Sequence, residues 1–160
     1  MIIERTEDLV LIERICLDVD VFRWITDDDA RLYLNSHPRI HYFLVKVEEP
    51  SDIVATVPVT AGFVAFTPEN VCTWIPHVAL LLPYRGHGLA LNSMKAGIDW
   101  MFKNTGCEKL TGRPASYNTR MIALFHKLGF HQEGLCRDSW KKDSVLYDRV
   151  CFGMEKARWH

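Results

Sequence analysis

The spacing of apolar positions changes repeatedly along the chain, and those changes predict most of its elements. Over residues 6–16, Leu9, Val10, Ile12 and Ile15 recur at helical intervals, with Thr6 placed to cap and Glu7 and Asp8 favouring the positive end of the helix dipole. The acidic run Asp27-Asp28-Asp29 predicts the start of a second short helix reaching Leu34, which His37-Pro38 closes. Beyond Pro38 the texture turns β-branched and aromatic. Runs at 40–47, 57–66 and 71–82, separated by Pro50-Ser51-Asp52 and Pro68-Glu69-Asn70, predict antiparallel strands joined by turns.

Helical spacing then returns. Leu91, Met94, Ile98 and Met101 mark one face of an amphipathic helix, with Asn92, Lys95, Asp99 and Lys103 on the other, ending near Asn104-Thr105-Gly106. A strand over 107–113 and a turn over 114–117 follow. Asn118 can cap the next helix, which buries Met121, Ile122, Leu124, Phe125 and Leu128 and ends at Gly129. Strands over 130–137 and 146–154 complete an α/β (α+β) pattern with a mixed sheet. No repeat, low-complexity tract or linker divides the chain, so residues 1–160 are expected to form one domain.

Composition narrows the partner. Nineteen basic and twenty acidic side chains nearly cancel, leaving no broad positive field for a nucleic-acid backbone or an anionic membrane. The five cysteines, Cys16, Cys72, Cys107, Cys136 and Cys151, form no C-x-x-C pair and no Cys/His grouping, which predicts reduced thiols and neither disulfides nor a metal site. With no long apolar run, a cytoplasmic address is expected. The partner expected is a small molecule or a specific protein.

The candidate chemistry begins at Arg85-Gly86-His87-Gly88-Leu89-Ala90, between a predicted strand and a predicted helix. A glycine-rich turn opening a helix gathers free N–H groups where the dipole is positive, which suits phosphate. Gly86 and Gly88 let backbone approach a pyrophosphate, and Arg85 adds a charged donor. Taken alone, the same residues also read as an ordinary tight turn. The loop is neither a Walker sequence, which requires G-x-x-x-x-G-K-[ST], nor a dinucleotide fingerprint, which needs a glycine where Leu91 stands.

With the apolar strand ending Leu80-Leu81-Leu82-Pro83-Tyr84 before it, this loop resembles the R/Q-x-x-G-x-G/A motif of the GNAT superfamily of N-acetyltransferases. Asn118, followed by Leu128-Gly129-Phe130, is similar to that family's N-x-x-A-x-x-x-Y-x-x-x-G-F segment. The resemblance extends from Trp74 to Phe130 and in element order to Met154. Trp100-Met101-Phe102 and the turn from Pro114 to Asn118 further resemble phage-encoded members.

The resemblance implies an acyl-CoA N-acyltransferase fold using acetyl-CoA as donor and an amine, small-molecule or protein, as acceptor. It implies that the backbone of Leu80, Leu81 and Leu82 pairs with pantetheine. Amides of Arg85, Gly86, His87, Gly88, Leu89 and Ala90 would take the pyrophosphate, between the strand ending at Leu82 and that beginning near Cys107. Asn118 would contact the pantetheine or thioester as well as capping its helix. Direct transfer requires the acceptor amine to lose a proton. Family members often use a glutamate on the strand before the loop. This strand carries no carboxylate but has His77, whose ordinary pKa of about 6.5 suits a base near neutrality; the alternative is a half-buried strand histidine.

The family tyrosine that protonates the leaving thiolate corresponds to Phe125, which has no proton to give. Tyr117, Tyr84 or water could supply it, and His126 lies about 100° around the helix. The rival expectation is a non-catalytic GNAT-fold binding or scaffold protein that retains a CoA pocket. An edge strand near the C-terminus would allow a homodimer. Trp24, Trp74, Trp100 and Phe102 read as core or rim aromatics, and Cys107 and Cys136 as small buried residues.

Overall fold

A computed structural model describes residues 1–18 and 39–160. The short helix expected to start at Asp27-Asp28-Asp29 and reach Leu34, and Trp24 before it, lie outside the described residues. In chain order come β1 (Ile2–Thr6), α1 (Leu9–Leu17), β2 (His41–Pro50), β3 (Thr56–Pro68) and β4 (Thr73–Leu80). A 3₁₀ turn (Leu82–Tyr84) leads to α2 (Leu89–Asn104), followed by β5 (Lys109–Gly112), α3 (Thr119–Lys127), β6 (His131–Lys142) and β7 (Val145–Glu155). The strands form a seven-stranded sheet in the order β1-β2-β3-β4-β5-β7-β6. The pairings are antiparallel except that between β4 and β5.

Both faces of the central strands are covered, which is why their sequences read as continuous apolar runs. Alternation sends Phe43, Val45, Val64, Phe66 and Leu80 to one face, against Met94, Ile98 and Met101 of α2 and Leu124, Phe125 and Leu128 of α3. Tyr42, Leu44, Phe63 and Ala65 go to the other, against Ile12, Ile15 and Cys16 of α1. Val64, Phe66, Met94, Ile98 and Met101 are fully buried.

Several boundaries differ from expectation. Residues 2–6 form β1, antiparallel to β2, where the charged N-terminus predicted no strand. The cap of α1 is Asp8, whose carboxylate accepts from Leu11 N–H at 3.0 Å. Thr6, the expected cap, ends β1 instead, and its hydroxyl accepts from Asp8 N–H at 3.1 Å. β4 stops at Leu80 because Pro83 and the 3₁₀ turn take over. β6 runs on to Lys142 through irregularities in its pairing with β7.

The parallel junction decides where a ligand can lie. β4 and β5 pair only at Thr73↔Lys109 and Trp74↔Leu110, near the start of both strands. β4 continues for a further six residues to Leu80, paired throughout with β3 and not with β5. The sheet therefore splits beyond Trp74.

Candidate functional site

The edge of β4 facing the split follows from ladder geometry. In an antiparallel pair, directly opposed residues alternate between exchanging hydrogen bonds and pointing them outward. Leu81 N–H donates to Ala61 O at 2.9 Å and Glu69 N–H to Thr73 O at 2.9 Å. The odd-numbered residues of β4 therefore bond to β3, and the peptide groups of Val78 and Leu80 point into the split. Of Leu80, Leu81 and Leu82, only Leu80 shares that edge. Leu82 is exposed within the 3₁₀ turn, and its carbonyl accepts from Arg85 N–H at 3.3 Å.

At the top of the split, Gly86 (φ 89°) and Gly88 (φ 74°) hold the left-handed conformation that glycine adopts without strain. A Cβ built at either would meet no atom within 4 Å, so the loop is open on that side. Gly88 is the N-cap of α2, and no side chain caps the helix. The first helical bond is Asn92 N–H to Gly88 O, 3.1 Å, so the amides of Leu89, Ala90 and Leu91 precede the ladder at the positive end of a sixteen-residue helix. Leu89 and Ala90 rest their side chains on the core, while His87 is exposed.

Arg85 also has a local role. Its Nε donates to Leu80 O at 2.8 Å, tying the loop to the last residue of β4 and occupying one carbonyl on the split edge. Across the split, Asn118 caps α3 through Oδ1, which accepts from Met121 N–H at 3.2 Å. That leaves its amide nitrogen as the group able to donate to a ligand.

His77 is half-buried on the α1 side of the sheet, opposite Ala65, with Nε2 3.1 Å from the hydroxyl of Thr67. Thr67 is 4% exposed, a buried polar side chain. Sequence reasoning did not single it out; a threonine in a strand reads as β propensity until the register shows His77 diagonally across from it. Glu69, read from sequence only as a turn residue, receives Arg113 at 2.7 Å and the Thr111 hydroxyl at 3.0 Å.

Phe125 is 1% exposed, stacked on Phe152 at 5.2 Å and packed against Phe130 at 4.8 Å. Its ring tip lies beneath β5, so close that a Cβ on Gly112 would meet it at 2.3 Å. The two candidate tyrosines differ. Tyr84 donates its hydroxyl to Glu49 Oε1 at 2.7 Å, and that hydrogen bond, with burial and the carboxylate charge, raises its pKa. Tyr117 stands just before Asn118 and accepts from Trp140 Nε1–H at 3.1 Å. An indole only donates, so the Tyr117 proton points elsewhere.

Among the cysteines, Cys107 is buried, and desolvation pushes its thiol up to about 11. His131, Glu133 and Glu155 bring their ligand atoms within 4.8 Å of one another on β6 and β7. Lys109 already pairs with Glu133 and, at 3.8 Å, with Glu155, setting a cation in that group.

The split, the open glycine loop and the uncapped helix form one arrangement, and the sequence carrying it is recognisable. Residues 10–130 match the pattern described as the acetyltransferase (GNAT) family. The chain belongs to the GNAT family. A GNAT relative, the uncharacterised N-acetyltransferase YokL of the SPbeta prophage of Bacillus subtilis strain 168, is 32% identical over 80 residues, covering 50% of this chain and 45% of the relative. The uncharacterised N-acetyltransferase p20 of Bacillus licheniformis is 27% identical over 117 residues, 73% of this chain and 63% of that protein. The chain thus matches less than two thirds of the length of either relative.

The GNAT fold is shared with spermidine N-acetyltransferase of Vibrio cholerae, solved with CoA and spermine, at a TM-score of 0.77, with 15% identity over 98% of this chain and 96% of that one. Ribosomal-protein-S5-alanine acetyltransferase of Vibrio fischeri gives 0.73, with 16% identity over 99% and 94%.

Proposed function

We propose that this GNAT chain is an N-acetyltransferase that binds acetyl-CoA in the split between β4 and β5 and passes the acetyl group directly to an amine. The observation that carries the reading is the coincidence of the split with the open loop from Arg85 to Ala90. An extended pantetheine can pair with the outward peptide groups of Val78 and with the Leu80 N–H as a missing strand would, the Leu80 carbonyl being held by Arg85. The pyrophosphate then meets the amides of Gly86, His87, Gly88, Leu89 and Ala90.

In this reading His77 takes the amine proton, directly or through water, with Thr67 holding its ring. The amine attacks the thioester carbonyl, the carbon–sulfur bond breaks, and the thiolate leaves. Tyr117, next to Asn118, and Tyr84, whose hydroxyl donates to Glu49, are the candidates to protonate it. The fold relatives acting on spermidine and on a ribosomal protein keep both small-molecule and protein amines as acceptor classes.

A second reading, binding of acyl-CoA without turnover, is favoured by Phe125 alone, which removes the family's proton donor. Calorimetric titration with acetyl-CoA, desulfo-CoA and adenosine nucleotides tests the common premise. Saturable binding that needs the pantetheine arm is expected, and Gly88→Glu, which adds bulk and negative charge at the loop, is expected to abolish it without unfolding the protein. A folded wild-type protein that does not bind acetyl-CoA overturns both readings. Binding with no acetylation across an amine panel selects the second.

A further inference from the structure

The loop is anchored on two sides by adjacent residues. Arg85 reaches back to Leu80 O at 2.8 Å, while Tyr84 reaches across to Glu49 Oε1 at 2.7 Å. Glu49 lies on a part of the β2–β3 hairpin that outruns β4. The last β3–β4 pair is Gly62↔Leu80, whereas β2 and β3 continue through Val47↔Val59 and Glu49↔Val57 to Pro50↔Thr56. Between this projecting hairpin and the loop lies an open cavity of about 370 Å³, lined by Val47, Glu48, Pro83, His87 and Leu89 together with the Tyr84–Glu49 pair.

Glu49 is oddly placed for a site that binds an anion. A carboxylate beside a phosphate loop repels its ligand, and that repulsion is offset only if the carboxylate does something else there. Its contact says what: it receives the tyrosine hydroxyl in a charge-assisted hydrogen bond spanning an otherwise open gap.

We propose that Glu49 is a positioning residue for acetyl-CoA, acting through Tyr84 to hold the glycine loop at the orientation in which its amides converge. The inference rests on the reading of that loop as the pyrophosphate site. Arg85 fixes the loop against β4, and the Tyr84–Glu49 strut fixes it against β2; with both in place the peptide groups from Arg85 to Gly88 have one orientation despite two glycines. The cavity gives the loop room to sink when the strut is cut.

The test is CoA affinity by calorimetry in the full chain, with thermal melting alongside. Tyr84→Phe and Glu49→Ala are each expected to weaken CoA about five- to tenfold, the double variant no more than either single one, and each melting temperature to stay within about 2 °C of wild type. Glu49→Gln, which keeps an acceptor but removes the charge, is expected to bind CoA at least as tightly as wild type. If Glu49 acts on the ligand only as a charge, Glu49→Ala binds CoA more tightly, and that result overturns the proposal. Additive losses in the double variant overturn it as well. Wild-type binding abolished by Gly88→Glu establishes the loop reading separately from these outcomes; a wild type that does not bind CoA removes both.

Discussion

His41 shows how far a single side chain depends on its neighbours. Its ring stacks on Trp74 at 5.1 Å and meets the edge of Trp100 at 5.4 Å, with the Arg5 guanidinium 5.7 Å over the same indole. Burial first, and then the Arg5 charge, lower its pKa below the ordinary value near 6.5. The folded protein therefore holds the neutral ring, while the unfolded chain takes up a proton as pH falls through that value. The stabilisation is present above about pH 6.5 and is lost as pH falls toward the lower folded-state pKa. Thermal melts between pH 7.5 and 5.5 are expected to show a decline that His41→Phe reduces; parallel wild-type and variant curves would remove His41 from the account. Nothing in the linear pattern foretold this cluster, because its members come from β1, β2, β4 and α2. Phe125 was legible as a missing hydroxyl, but its contact beneath Gly112 was not, since that depends on how closely α3 packs under β5.

At the scale of elements, short-range signals were read well and those that need a partner were not. Asn118 caps α3, and the turn positions at Pro50 and Pro68 fall where strands end. β1 was missed because only Ile2, Ile3 and three polar residues compose it; it exists through pairing with β2 and the Glu4–Lys46 ion pair. The cap of α1 moved from Thr6 to Asp8 for the same reason, as Thr6 is drawn into that strand. Asn118 allows a test that separates capping from ligand contact. Asp caps as well as Asn, whereas Ala costs about 1 kcal/mol. Asn118→Asp is expected to melt like wild type but to raise the KM for acetyl-CoA severalfold, because it exchanges an N–H donor for a negative charge. An unchanged KM would leave Asn118 as a cap alone.

For the whole molecule, six of the seven strands and the three described helices could be anticipated from period and motif, but β1 and the geometry of the split could not. The sequence places Thr73 and Lys109 far apart, and only the register reveals that β4 and β5 meet at two residues and then part. Hydrogen–deuterium exchange checks the consequence for the backbone. The amides of Val78 and Leu80 are expected to exchange rapidly in the free protein and to slow on adding CoA, while that of Ala79, directed at β3, stays protected throughout. Equal protection of all three in the free protein would mean that the split edge is already satisfied.

Among the described residues, the pairing of Thr73 and Trp74 with Lys109 and Leu110 is all the strand pairing that joins β1–β4 to β5–β7. Acetyl-CoA laid between the two parts, as proposed, would act as a removable stitch, and at a hundred times its dissociation constant it would add about 2.7 kcal/mol to the folded state. On the proposed function, the protein's lifetime in a cell would rise and fall with the supply of acetyl-CoA, so that starvation for that metabolite would thin the population of the protein itself.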